Sequence, residues 1–292
     1  MRIPISKPYF GEEERAAILQ PLETGWVVQG PRVAEFERLF AAYTGAPNAV
    51  ATSSCTTALH LSLVALGVGP GDEVIVPSFT WVATANAVEM VGARPVFVDI
   101  ELNTFNIDPE RIEPAISGRT RAVIPVSLFG VSAPMDPIMQ IATHRGLKVV
   151  EDAACAAGAW YHGRHAGTIA DVGCFSFHPR KAITTGEGGM IVTADAGLAQ
   201  TARSLRDHGA SRSDLARHES PRSYVLPDFD RVGYNYRMTD IQGALGVAQM
   251  SRLEAILELR TERARVYDRR LEDVDWLRPQ ALPESCRHGY QS

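Results

Sequence analysis

Short runs of β-branched and aliphatic residues alternate with helix-length apolar patterns along most of this 292-residue chain, and that alternation constrains the fold more than any other feature. Strands are expected at Asn48–Thr52, Glu73–Val76, Arg94–Val98, Ala122–Val126, Lys148–Glu151, Val172–Phe177 and Gly189–Thr193. Helices are expected over Thr56–Leu66, Thr80–Val91, Pro137–His144 and Leu198–Asp207. Near-continuous apolar strands imply that both sheet faces are covered. The pattern therefore predicts an α/β fold with a mainly parallel sheet flanked by helices. From Thr239 the period becomes helical, with Ile241, Ala244, Leu245, Ala248, Leu253, Ile256 and Leu257 on one face and charges opposite as far as Arg270. One long amphipathic helix is expected there, after a polar loop at Asp207–Arg231.

Composition narrows the function classes. A formal charge of −5 gives no basic face for duplex nucleic acid. No stretch approaches the roughly 20 apolar residues of a membrane span. The opening MRIPISKPYFGEEER carries no apolar core of a secretion signal, so a cytoplasmic protein is expected. Cys55, Cys155, Cys174 and Cys286 lie far apart, and no histidines pair at ligand spacing, so no metal site is expected. About twenty residues follow the long helix, too few to fold alone. A fragment, ending inside a second domain, is the expectation.

Three segments carry chemistry. Of 29 basic residues only Lys7, Lys148 and Lys181 are lysines. Lys181 lies in a polar turn between a strand and the Gly-rich run Gly186-Glu187-Gly188-Gly189; a nucleophilic amine there is a role arginine cannot fill, the alternative being a plain surface lysine. Glu151 and Asp152 end an apolar strand, where ligands collect in open α/β sheets. Strand alternation lets only one of them face a site. Thr52–Thr57 joins a strand to a helix start, either as a phosphate cradle or as simple N-capping. Trp81 follows another strand and either stacks on a planar ring or joins the core. Neither a Walker A pattern nor a strand-following GxGxxG is present, which weakens nucleotide-binding readings and a nicotinamide oxidoreductase.

The segments TGWVVQGPRVAEFERLFAAYTGA, GVGPGDEVIVPSFTWVATANAVEMVGARPVFVD, EDAACAAGA, SFHPRKAITTGEGGM and GYNYRMTDIQGALG together resemble the DegT/DnrJ/EryC1/StrS family of sugar aminotransferases, from near Ile5 past the long helix. The resemblance implies the aspartate aminotransferase-like fold (PLP fold type I). A large cofactor-binding domain would span residues 1–240, with a linking helix and the start of an incomplete C-terminal small domain over residues 241–292. It implies pyridoxal 5′-phosphate as cofactor, Lys181 as the Schiff-base lysine and proton shuttle, Asp152 on the pyridine nitrogen and Trp81 stacked on the ring. Cys55, Thr56 and Ser176 would hold the phosphate, and Asn235 would reach the phosphate of a neighbouring subunit, making a homodimer the functional unit. Cys155 would lie at the phenolic oxygen, where Gln or His is common and a thiol is a weaker partner. Cys55 stands where glycine is usual. The implied reaction moves an amino group from an amino acid, L-glutamate, to a nucleotide-linked keto-sugar for polysaccharide, lipopolysaccharide or natural-product amino sugars. Lysine at 181, where the family's dehydratases have histidine, favours transamination. The rival reading is a non-catalytic binding or regulatory protein of the same fold, or an inactive fragment.

Overall fold

The computed structural model describes residues 6–291; Ile5, where the resemblance starts, and the terminal Ser292 lie outside them. Two helices come first, α1 (Glu12–Thr24) and α2 (Pro31–Thr44). There follow β1 (Asn48–Thr52), α3 (Cys55–Ala65), β2 (Glu73–Pro77), α4 (Ala83–Met90) and β3 (Arg94–Val98). Next come α5 (Pro109–Ala115), β4 (Thr120–Val123), α6 (Met135–Arg145) and β5 (Lys148–Asp152). The short β6 (Trp160–Tyr161) and β7 (Arg164–His165) precede β8 (Val172–Ser176) and β9 (Gly189–Thr193). The chain continues through α7 (Ala196–Leu205), α8 (Asp214–His218), α9 (Asp240–Met250), α10 (Leu253–Leu271) and β10 (Cys286–Arg287).

The main sheet has seven strands in the order β1-β9-β8-β5-β4-β2-β3. Strand β9 runs antiparallel to both neighbours, and every other pairing is parallel. The alternation along each strand sorts the core into two layers. Val50, Val74, Val76, Val150, Val172, Cys174 and Ile191 meet α3, α4 and α7 on one face. On the other, Ala49, Ala51, Phe175, Met190 and Val192 meet α2 and α10, while Ile75 and Val149 meet α5 and α6. The mainly parallel, helix-covered sheet expected from the sequence is therefore present.

Three expected boundaries need correction. The strand expected at Ala122–Val126 ends at Val123, since Pro125 has no N–H for the ladder; Val126 keeps a single bridge to Asp152. The helix expected from Thr80 begins at Ala83, and the Trp81 carbonyl accepts the Thr84 N–H at 3.1 Å. The single long helix from Thr239 is two helices, broken at Ser251-Arg252. There the Ser251 hydroxyl donates back to the Ala248 carbonyl at 2.7 Å, and Arg252 shifts to φ −112°, ψ −2°, away from ideal helix angles. Its guanidinium pairs with Glu14 of α1 at 3.0 Å, and Gln249 Nε2 donates to the same carboxylate at 2.7 Å. A distant partner thus overrides a continuous amphipathic pattern. In the same region Asp240 caps α2 from afar, its carboxylate accepting the N–H groups of Gly30, Arg32 and Val33 at 2.9–3.1 Å. The Asp207–Arg231 loop contains the short α8.

Phe40 is fully buried, with its ring 6.3, 4.9 and 5.3 Å from those of Phe36, Phe175 and Phe177. Phe40→Ala opens a cavity at the joint between α2 and the sheet and is expected to cost about 3–5 kcal/mol, read as a lowered urea midpoint with an unchanged slope.

Candidate functional site

Adjacent acids at the end of β5 enter different environments. Asp152 shares the parity of Val150 and lies on the α3–α4 face, 4% exposed. Its Oδ2 accepts the Thr84 hydroxyl at 2.8 Å and its Oδ1 the Ala154 N–H at 3.1 Å. Burial pushes its carboxyl above the usual range, while Thr84, Ala154 and the Lys181 charge draw it back. Glu151 faces the opposite layer, fully buried, accepting the Ser127 hydroxyl at 2.7 Å. Desolvation lifts its carboxyl to about 7. Only Asp152 of the two is available to the site.

Lys181 sits in a loop closed at its base by the β8–β9 hairpin. Phe177 N–H donates to the Gly188 carbonyl at 2.9 Å, and Thr185 N–H to the Phe177 carbonyl at 3.0 Å. Within the loop, Lys181 N–H donates to the His178 carbonyl at 2.8 Å, and Arg260 holds the Lys181 carbonyl at 3.2 Å. The Lys181 ammonium donates to Cys155 Sγ at 3.2 Å and acts electrostatically on Asp152 and Cys55. Amine, buried acid and half-buried thiol therefore converge on one place. Burial raises the Cys155 thiol and holds Cys55 well above the usual thiol range, so both remain neutral.

Beside them, α3 begins. Ser54 caps it by accepting the Thr57 N–H at 3.1 Å, and the Thr57 hydroxyl returns to the Ser54 N–H at 3.0 Å. That leaves the N–H groups of Cys55 and Thr56, the first two of the helix, without acceptors among the described residues. Capping and anion binding are thus both served, on different amides. The Cys55 side chain turns into the core, so its thiol does not block its own amide. Ser176, at the end of β8, pairs with Gly189, and a Cβ on Gly189 would lie 2.3 Å from the Ser54 carbonyl and 2.6 Å from Cys55 N. Strand β9 packs against the start of α3 only because residue 189 has no side chain. Two free amides at a positive helix end beside a serine fit the phosphate of the implied cofactor.

Trp81 is 75% exposed, three residues before the Thr84 that fixes Asp152, so it is not a core residue. Asn235 lies one residue before Tyr236, whose carbonyl accepts the Ser53 N–H at 2.9 Å. Its neighbours Tyr234 and Tyr236 stack on each other and meet His60 edge to face, while Asn235 is exposed and makes no side-chain hydrogen bond to the described residues. Thr84 and Arg260 carry no mark of their own in the sequence, and Gly189 enters there only as part of a Gly-rich run. Thr84 was findable in principle from its helical spacing to Trp81; Gly189 and Arg260 act through contacts that only the fold creates.

The family model described as the DegT/DnrJ/EryC1/StrS aminotransferase family matches residues 8–291. The spore coat polysaccharide biosynthesis protein SpsC of Bacillus subtilis is 43% identical over 288 residues, which are 99% of this chain and 74% of that protein. GDP-perosamine synthase of Caulobacter vibrioides is 45% identical over 271 residues, 92% of this chain and 70% of its own length. Among solved structures, the putative sugar aminotransferase Spr1654 of Streptococcus pneumoniae in its PMP-form superposes with a TM-score of 0.92 at 33% identity, covering 99% of this chain and 77% of that one.

The buried Glu151 gives a pH signature. Its folded-state value of about 7 exceeds the ordinary 4.5, so the folded protein keeps a proton that the unfolded chain has released. Stability from this group is full below 4.5 and falls as pH rises toward 7. Glu151→Gln is expected to melt with wild type at pH ~5 and above it at pH ~8, a difference on the order of 3 kcal/mol. Parallel thermal melts across that range check it.

Proposed function

This chain belongs to the DegT/DnrJ/EryC1/StrS aminotransferase family, and from that premise we propose the substrates and residue roles that follow. It is a pyridoxal phosphate-dependent sugar aminotransferase. The amino donor is an amino acid, L-glutamate, and the acceptor is a nucleotide-linked keto-sugar. When bound, the cofactor supplies an aldehyde that condenses with amines and a cationic ring that accepts the electron pair left by a departing proton. Lys181 Nζ would be the nucleophile that holds the aldehyde and the base that moves the proton at the donor carbon. Asp152, oriented by Thr84 and the Ala154 amide, holds a proton at the pyridine nitrogen. Trp81 covers one face of the ring and excludes water from it. The amides of Cys55 and Thr56, with the Ser176 hydroxyl, bind the phosphate. Cys155, whose sulfur accepts from the Lys181 amine, would stand at the cofactor's phenolic oxygen as a weaker hydrogen-bond partner than Gln or His. Asn235, exposed on its own chain, serves the phosphate of a partner subunit, and the active unit is a homodimer working in the cytoplasm.

The observation that carries this reading is the 3.2 Å approach of Lys181 Nζ to Cys155, three residues beyond the buried Asp152. Acceptor specificity is tested by loading the enzyme with glutamate and assaying a panel of nucleotide keto-sugars for recovery of the visible cofactor spectrum. Lys181→Ala is expected to lower turnover by at least about 10²–10⁴-fold while retaining the amine form of the cofactor; ordinary turnover would sink the assignment. Asn235→Ala is expected to lose cofactor faster on dialysis. Retention equal to wild type counts against the contribution from a partner subunit.

A further inference from the structure

Helix α10 touches both of the loops that bring Lys181 and Cys155 together. Leu257 packs on Gly158, three residues beyond Cys155, so closely that a Cβ on Gly158 would lie 2.3 Å from Leu257 Cδ1. One turn further along, Arg260 Nη2 donates to the Lys181 carbonyl at 3.2 Å. Residues three apart on a helix share a face, so a rigid element sets the spacing of the two loops. The Lys181 N–H is used within its own loop, on the His178 carbonyl, which leaves the carbonyl as the main-chain group anchored from outside.

The other arm of the same guanidinium is occupied as well. Arg260 Nη1 donates to the carbonyls of Tyr290, at 2.9 Å, and of Gln291. That segment is itself fixed: Gly289 N–H donates to the Gly130 carbonyl at 2.7 Å, and Gln291 N–H to the Phe129 carbonyl at 3.2 Å. Gly289 also backs onto the Cys155 loop, where an added Cβ would come within 3.1 Å of the Ala157 carbonyl oxygen. Arg260 therefore closes a ring that runs from Lys181 through Gly289–Gln291 to the loop of Cys155. All three of its partners are main-chain carbonyls. A planar guanidinium holds both directions at once, which an ammonium on a flexible stem cannot do.

We propose that Arg260 is a positioning residue for amino transfer, its fork gripping Lys181 and the Tyr290–Gln291 segment together so that the Lys181 amine stays beside Cys155 and Asp152. Its effect on catalysis rests on the role given to Lys181 above, whereas its grip on the loop does not. Arg260→Met keeps the stem and removes the donors. In the full chain without added cofactor, hydrogen–deuterium exchange across His178–Thr185 is expected to quicken on the order of tenfold in this variant, with β8 unchanged. On the loaded enzyme, the limiting rate at which glutamate bleaches the visible cofactor spectrum is expected to fall about 10–10²-fold, with half-saturation in glutamate within about twofold of wild type. Arg260→Lys, which keeps the charge but not the fork, is expected to lose nearly as much in both readouts. Wild-type exchange across His178–Thr185 in Arg260→Met would overturn the proposal. Full recovery in Arg260→Lys, or a changed half-saturation with an unchanged limiting rate, would overturn it too. Exchange decides the matter even where wild type does not react with glutamate, a result that counts against the donor alone.

Discussion

Every inner strand of the main sheet is covered on both faces, so a two-residue period decides which helical layer each side chain enters. At β5 that period separates two neighbouring carboxylates. Asp152 goes to the α3–α4 side, where the Thr84 hydroxyl and Ala154 amide can fix it, and Glu151 goes to the other, where Ser127 meets it. A slip of one residue would exchange them and put the less well-held acid beside Lys181. The registers of β5 with β4 and β8 are therefore as much a part of the site as the side chains themselves.

The same burial that packs the sheet sets the electrostatics. Carboxylate, amine and two thiols meet at the edge of the core, with Asp152 and Cys55 buried and Lys181 and Cys155 half-buried. The thiols stay neutral because nothing there stabilises a thiolate enough to offset desolvation. Cys155 thus enters as a soft, uncharged neighbour of the amine. At Asp152 burial raises the carboxyl, and the Thr84 and Ala154 hydrogen bonds with the Lys181 charge oppose that rise without cancelling it.

The inner strands were legible because doubly buried segments need apolar residues at nearly every position, and β9, buried throughout, lies where the pattern puts it. The signature segments likewise pointed to Lys181, Asp152 and the start of α3. What the pattern could not carry was long-range. The break between α9 and α10 follows from Glu14, more than two hundred residues away in sequence, and the cap on α2 comes from Asp240. The small sheet of β10, β6 and β7 rests on two-residue strands, too short for any periodicity to register. The approach of Lys181 to Cys155 joins two loops that nothing local relates.

Gly189 has a mechanical consequence. It stands at the base of the loop that carries Lys181 and, at the same time, against the backbone that begins α3. With no side chain between them, the hairpin and the helix share a rigid abutment, so the anchor of the amine and the seat for an anion keep a fixed spacing. Loop residues farther out can vary in sequence without altering that distance, because the gauge lies beneath them.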